Sequence, residues 1–435
     1  SLPNPPKTLA KARAPSWRSG SRSTRAAETS AAAPVRPAAL QIRCLPSNFH
    51  TVPDHPRIAA RRLQALARRF PALVILGARQ VGKSTLARLA FPGFDFIDLE
   101  NPLDAARIGG DPSFFLSQHR RLVIDEAQRL PALFPVLRSH LDRNPRCRVI
   151  LLGSASPGLV TRVSESLTGR VGLFELSGLS LFEHPAEDLW LRGSYPRLHW
   201  SRPRARPEEW YPSYLRTTLE QDIPQLGFRI AATRLRNLLT MVAHGQGALC
   251  NLSELGGSLG INYHSVAHLL DIFEGVFLVR RLAPYAANVR KRLVKSPKLY
   301  VRDTGLLHSL LGLPFAKRPL LAHPKAGASF ETFCIEQILL HAHLADPGAQ
   351  GFFYRAHGGQ EVDLLLRIRD SLVPIEIKLG LAVPDLRGLE GCMRDLGLKR
   401  GYVVNLSAEP VELRRGIWMG GLRHLLETLR LVPRA

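Results

Sequence analysis

The sequence predicts a multidomain α/β protein: a parallel sheet with helices on both faces, a mainly helical middle, and a second α/β region towards the carboxy terminus. Three observations carry this. From Leu73 onward, short apolar runs alternate with helical stretches; that alternation is the mark of a parallel sheet covered on both sides. After about residue 190 the pattern is mainly helical, and from Phe352 it returns to strands. At 435 residues the chain is also too long for one ordinary core, so two or three domains are expected.

Residues 1–55 hold Arg, Ala, Ser and Pro in quantity and, up to residue 50, a single acid, Glu28. Such a stretch cannot bury a core and reads as disordered. Basic and acid-poor, it resembles a transit peptide in composition; without a convincing apolar face it equally fits a flexible tail or an upstream extension. Order is expected from near Pro56, where Arg57–Phe70 carries apolar residues at helical spacing among arginines. That helix leads straight into a strand, which favours packing on a sheet over lying on a membrane. Buried strands are expected at Leu73–Leu76, Phe94–Leu99, Leu122–Ile124 and Val149–Leu152, with helices such as Thr85–Ala90 and Ala132–Leu141 between them. Later strands are expected at Phe352–Arg355, Glu361–Ile368 and Leu372–Lys378.

Composition narrows the partners. The net charge of +23 comes from 59 Lys plus Arg against 36 Asp plus Glu, which favours anionic ligands such as nucleotides or nucleic acid. Mean hydropathy is −0.04, and no run of 18 uncharged apolar residues appears, so no membrane span is expected. Five scattered cysteines without a CxxC pair suggest neither a zinc site nor a disulfide framework, and fit a reducing, cytoplasmic setting.

The chemistry begins at Gly77-Ala78-Arg79-Gln80-Val81-Gly82-Lys83-Ser84, followed by Thr85, a complete GxxxxGK[ST] loop between an expected strand and an expected helix. Glycines let backbone amides wrap a phosphate, and the helix start adds a favourable dipole. The reading is an ATP site of the P-loop kind: Lys83 reaches the β- and γ-phosphates and the Ser84 hydroxyl ligates Mg²⁺. Some forty residues on, Arg121–Ile124 is an apolar strand ending in Asp125 and Glu126. Asp125 is expected to hold Mg²⁺ through water and Glu126 to polarise the attacking water. Ser154, at the end of the next strand, is a candidate γ-phosphate sensor, and Arg170 a candidate transition-state arginine in cis or in trans. The bland alternatives are a capped strand end for the acids, a Gly-Ser turn for Ser154, and a surface or structural role for Arg170.

These landmarks resemble a known group: prokaryotic AAA-type ATP-binding proteins with a carboxy-terminal domain of unknown function. GARQVGKST, VIDEAQRLP, LLGSAS, SESLTGRV, GSYPRL, SPKLYVRDTGLL, SFETF and EVDLLL followed by PIEIK occur in that family's order over roughly residues 57–420. The resemblance implies an AAA-type P-loop NTPase domain at 56–190, a helical region with a winged-helix element at 191–320, and a PD-(D/E)xK nuclease-like domain at 321–435. It supplies no settled biological role. An arginine borrowed from a neighbour makes a homo-oligomer plausible.

In the middle region, Asn251–Glu274 reads helix, turn, helix, with Gly260 suited to the turn. Val276–Leu282 and the basic Arg290–Lys298 are candidates for a wing. The second helix carries Tyr263, His264, Ser265 and His268 but no Lys or Arg, and it ends in Asp271 and Glu274. That composition suits packing or a protein partner at least as well as DNA. Near the other terminus Glu331 falls on an expected helix, Asp363 on one strand, and Glu376 and Lys378 two apart on the next, so both face one side. Together these four are a possible nuclease site, in which carboxylates hold Mg²⁺ beside a scissile phosphate and a lysine stabilises charge. Arg355 and Glu361 flank it. The bland reading is cross-strand ion pairing. His341 and His343, two apart on a helix, are read as structural.

Three functions remain: an ATPase whose nucleotide state regulates the later domains, an ATP-regulated Mg²⁺-dependent DNA nuclease, and a nucleotide-dependent interaction module.

Overall fold

The structure is a computed structural model and describes residues 55, 57–153, 163, 165–228, 230–285, 296–356 and 360–432. The amino-terminal segment and Ser154 therefore lie outside the described residues.

Five strands form the first sheet: β1 (Ala72–Leu76), β2 (Asp95–Asp98), β3 (Arg121–Asp125), β4 (Arg148–Gly153) and β5 (Val171–Glu175). Their order is β2-β3-β4-β1-β5, and every pairing is parallel. Alternate residues of each strand enter different cores. Leu73 and Ile75 pack with Leu63 and Leu86 of the helices Ala59–Arg69 and Lys83–Ala90. Ala72 and Val74 pack with Leu133, Leu137 and Leu141 of the helix Leu133–Arg143. A parallel sheet sandwiched in this way must be apolar on both faces, which is why β1 reads as an unbroken apolar run. The sheet is the parallel α/β arrangement of a P-loop NTPase. Strand β5 is the one the sequence reading missed; as the edge strand its residues alternate buried and exposed, and its apolar run is short.

The first of these cores continues beyond the sheet. Helices Pro207–Thr217, Ala232–His244 and Tyr263–Gly275 supply Trp210, Leu235, Leu238 and Phe273 to it. The helix–turn–helix expected from sequence is present: helix Leu252–Leu259 is capped by the Asn251 side chain, Gly260 turns the chain at φ +63°, and helix Tyr263–Gly275 is capped by Asn262. Strands β6 (Val279–Pro284) and β7 (Lys298–Val301) then pair antiparallel. Most of the basic stretch between them lies outside the described residues.

The second sheet is mixed and has eight strands in the order β12-β13-β11-β10-β9-β8-β6-β7. Its later members are β8 (Gln350–Arg355), β9 (Glu361–Ile368), β10 (Ser371–Ile377), β11 (Gly401–Asn405), β12 (Val411–Arg414) and β13 (Ile417–Gly421). Strands β6 and β7 of the middle region join it, with Ala283 opposite Phe352 and Pro284 opposite Phe353 in a parallel β6–β8 pairing. The 20-residue helix Ala326–Ala345 covers one face through Phe330, Cys334, Ile338 and Ala342. Helix Arg387–Asp395 covers the other through Leu389 and Cys392. Among the described residues no helix is long and apolar enough to cross a membrane.

Candidate functional site

The P-loop leaves the carboxyl end of β1 and enters the helix Lys83–Ala90 at the edge of the sheet where β3 also ends. Its glycines answer two different demands. At Gly77 a Cβ would lie 2.5 Å from the Leu176 carbonyl oxygen, so the end of β5 leaves no room for a side chain. Gly82 has φ +96°, which only glycine adopts without strain. Gln80 is left-handed as well, at φ 61°. The amides of Lys83, Ser84 and Thr85 open the helix, where amides have no intrahelical acceptor and point at whatever lies before the helix.

Lys83 is buried, and its ammonium donates to the carbonyls of Gly77 and Ala78, both at 3.0 Å. Burial lowers its pKa, opposed by Glu126 and Asp125. Asp125 closes β3 and hydrogen-bonds the Ser84 hydroxyl, so the two expected Mg²⁺ ligands already meet. Burial raises the pKa of Asp125 and of Glu126. Glu126 sits in the left-handed region at φ 52°, and Gln128 donates to its carboxylate. A non-glycine residue held there is strained, and such strain gathers where a side chain must be aimed.

Arg79 leaves the loop to pair with Asp222 and, at 4.0 Å, with Glu100. Arg170 lies elsewhere. It precedes β5, its carbonyl accepts from Ala72 at the start of β1, and its guanidinium is held by Asp142. This is the amino edge of the sheet, a full strand length from the P-loop, so Arg170 does not reach the phosphate loop of its own chain. The cis role expected for it fails on that distance.

One residue supporting the loop escaped the sequence reading. Arg57 is buried behind the P-loop, donating to Val81 O at 3.2 Å, Ser177 O at 3.0 Å and Gly178 O at 2.9 Å. Its Nε pairs at 3.0 Å with Glu183, whose carboxylate also accepts from the amides of Ile58 and Ser180. In sequence it is one arginine among many in a basic helix start; only its place before the first apolar residue sets it apart.

The terminal cluster converges. Ile375 of β10 faces Leu364 of β9, so Asp363 and Glu376 follow as the next opposed positions. Asp363 accepts from the Ile377 amide at 2.9 Å, and Lys378 reaches Asp363 at 3.4 Å and Glu376 at 2.6 Å. Glu331 comes down from the long helix and accepts from the Tyr300 hydroxyl at 2.6 Å. Burial and the neighbouring Asp363 push both Glu331 and Glu376 up to about 7. All four expected residues thus meet, joined by Tyr300 and Lys298 of β7. Lys298 was read as part of a basic wing. It is instead buried, 2.6 Å from Glu361 and 3.8 Å from both Glu331 and Asp363. The only sequence cue was its place directly before the apolar Leu299–Val301. Among the described residues no group of three or more His, Cys, Asp or Glu is placed to hold a metal ion. The cluster as folded does not fit the divalent ion its residue types suggest.

Between the two sites lies an ion network, half-buried except for the exposed Glu175. Arg302 pairs with Glu175 at the end of β5, at 2.6 Å, and with Glu336 of the long helix, at 3.1 Å; Arg280 also holds Glu336. The two arginines keep Glu336 down at about 2 against the opposing pull of burial. On the same helix Gln337 bonds Leu181 N and Leu179 O, and His341 bonds Ser180 Oγ at 2.8 Å. His341 is therefore a satisfied core histidine.

Comparison with known proteins matches the site to a family. Residues 69–184 match a family described as "AAA domain"; residues 184–317 and 326–425 each match a domain of unknown function, DUF8612 and DUF4143. Uncharacterized proteins of Mycobacterium tuberculosis and Mycobacterium bovis are each 42% identical over 356 residues, covering 80% of this chain and 79% of theirs. This chain belongs to their family. Its first sheet, with the P-loop at the end of β1 and the acids at the end of β3, is the AAA-type ATPase domain of that family member. Among solved structures, a Walker-type ATPase of Pyrococcus abyssi covers 58% of this chain and 94% of its own at 16% identity and a TM-score of 0.39. Domain III of the replication initiation protein DnaA from Thermotoga maritima covers 52% and 95% at 14% identity and a TM-score of 0.25. Likenesses that slight carry no argument about function.

Proposed function

We propose that this AAA-type protein binds ATP with Mg²⁺ at the P-loop, hydrolyses it there, and passes its nucleotide state to the middle and terminal regions. The observation that carries this reading is the meeting of Lys83, Ser84, Asp125 and Glu126 at the carboxyl edge of one sheet. The amides of residues 82–85 and the Lys83 ammonium would receive the β- and γ-phosphates; their negative charge favours the protonated lysine that burial alone disfavours. Ser84 and Asp125 would hold Mg²⁺, which neutralises charge building on the transferred phosphoryl group. Glu126, oriented by Gln128, accepts a hydrogen bond from the attacking water and takes its proton. An arginine acting in trans, Arg170 among the candidates, would require a homo-oligomer. Transmission would run from the segment under the P-loop, Ser177–Leu181, to the long helix through Gln337, His341 and the Arg302 network.

The test pairs two variants. Lys83→Ala should abolish ATP binding, whereas Glu126→Gln should keep binding and lose roughly 10²–10⁴-fold in turnover. Unchanged nucleotide affinity in Lys83→Ala contradicts the proposal.

The convergence of Glu331, Asp363, Glu376 and Lys378 supports a second reading, phosphodiester cleavage of DNA at the terminal cluster, which requires the Lys298 ammonium to give up its place to a metal ion when DNA binds. Nicking of supercoiled DNA that disappears in Asp363→Asn would support it; no nicking with Mg²⁺ or Mn²⁺ would count against it.

A further inference from the structure

Lys298 is placed where a cation belongs. Its ammonium lies within 4 Å of three carboxylates carried by two elements: Glu331 of the long helix, and Glu361 and Asp363 at two positions on one side of β9. Only 4% of the residue is exposed, although lysine is almost never buried unless paired. Its backbone is fixed on both sides, opposite Leu282 in the β6–β7 pair and bridged to Leu249 across the other edge. The ammonium is therefore the end of a short, anchored stem rather than of a mobile loop.

The remaining geometry shows what that position replaces. Lys378 takes the far side of the cluster, on Asp363 Oδ2 and Glu376 Oε1, and Arg355 takes Glu361 Oε2 at 3.3 Å. Glu376 is 9% exposed, and its second oxygen has no hydrogen-bond partner among the described residues. Four carboxylates thus face three cationic side chains, and one buried oxygen is left over. A divalent ion in place of the ammonium would balance the formal charges. A carboxylate cluster cannot hold a divalent ion and an ammonium at one point, because like charges a few ångströms apart in a buried setting repel strongly.

We propose that Lys298 is a built-in cation standing in the place of a divalent metal ion, so that the terminal cluster of the folded protein is closed to Mg²⁺ and Mn²⁺. This rests on the cluster alone and is independent of ATP turnover at the P-loop.

The test is Mn²⁺ binding to the full chain without nucleotide, followed by electron paramagnetic resonance of the free ion. Asp363→Asn identifies binding at this cluster. The native chain should take up no Mn²⁺ that Asp363→Asn removes. Lys298→Met should gain one Mn²⁺ per chain, at least tenfold tighter than any uptake by the native chain, and lose it again when combined with Asp363→Asn. Added Mn²⁺ should also raise the unfolding temperature of Lys298→Met and leave that of the native chain unchanged. A native chain that binds one Mn²⁺ sensitive to Asp363→Asn overturns the proposal, and so does a folded Lys298→Met that binds none. Should Lys298→Met fail to fold, the comparison of the native chain with Asp363→Asn still decides.

Discussion

Replacing Arg57 by Met removes the guanidinium behind the P-loop while keeping most of the aliphatic volume. Two losses follow. Glu183, whose side chain is only 2% exposed, keeps its hydrogen bonds from the Ile58 and Ser180 amides but loses its counter-ion. The carbonyls of Val81, Ser177 and Gly178 lose a charged donor. Removing one partner of a buried pair costs about 3–5 kcal/mol, and the carbonyls share in that figure because the same group serves them all. In Arg57→Met/Glu183→Gln no charge is stranded, although the single amide oxygen can accept from only one of the two backbone amides, which reach different carboxylate oxygens. The double variant should therefore recover about 1–3 kcal/mol of the loss, a coupling of the size expected for contacting residues. Guanidinium unfolding of all four members of the cycle reads these differences as midpoint shifts. Binding of a fluorescent ATP analogue should weaken in the single variant even where it is folded, because Val81 belongs to the phosphate loop. A single variant within 0.5 kcal/mol of the native chain, or a double variant no better than the single, would refute the reasoning.

Three other outcomes are expected. Arg302→Met leaves the exposed Glu175 without its partner and Glu336 with Arg280 alone, and should destabilise by about 1–3 kcal/mol at neutral pH. Because the arginines hold Glu336 down at about 2, their contribution is present above the ordinary glutamate value near 4.5 and fades as pH falls towards 2; thermal unfolding of variant and native chain should converge over that window. Glu331 and Glu376 behave oppositely: raised to about 7, they hold protons in the folded chain that the unfolded chain has released, so stability falls as pH rises from about 4.5 to about 7. Glu376→Gln should flatten part of that fall in unfolding measurements across the range. Arg170→Ala should leave ATP affinity of the monomeric chain unchanged, since Arg170 lies at the amino edge of the first sheet; a weakened titration of the monomer would contradict its placement.

What the sequence made legible follows from where the information sits. The P-loop and the acid-ended strand are local: spacing within a dozen residues defines their chemistry, and the folded sheet only has to bring two strand ends to one edge. The alternation of Leu73 and Ile75 with Ala72 and Val74 was invisible as alternation, because both faces are buried and all four are apolar. Edge strands β5 and β12 escaped notice because partial exposure dilutes their apolar pattern. The terminal carboxylates were found because residue type narrows them. Arg57 and Lys298 were not, since a buried cation is recognised only by the distant acids that hold it: Glu183 lies 126 residues from Arg57, and Glu361 is on a strand separated from β7 by β6 and β8. In a chain with 59 Lys and Arg, nothing local separates these two from the solvated majority.

Strands β6 and β7 bear on how the molecule can be dissected. A fragment cut at the start of the long helix would lose the neighbour that covers β8 and present a raw sheet border, the kind of rim that recruits other chains into aggregates. It would also discard Tyr300 and Lys298, leaving the acids that these two residues contact facing one another without them. Metal uptake or nicking by such a fragment would report on the excision, so assays of the carboxy-terminal half need the intact polypeptide.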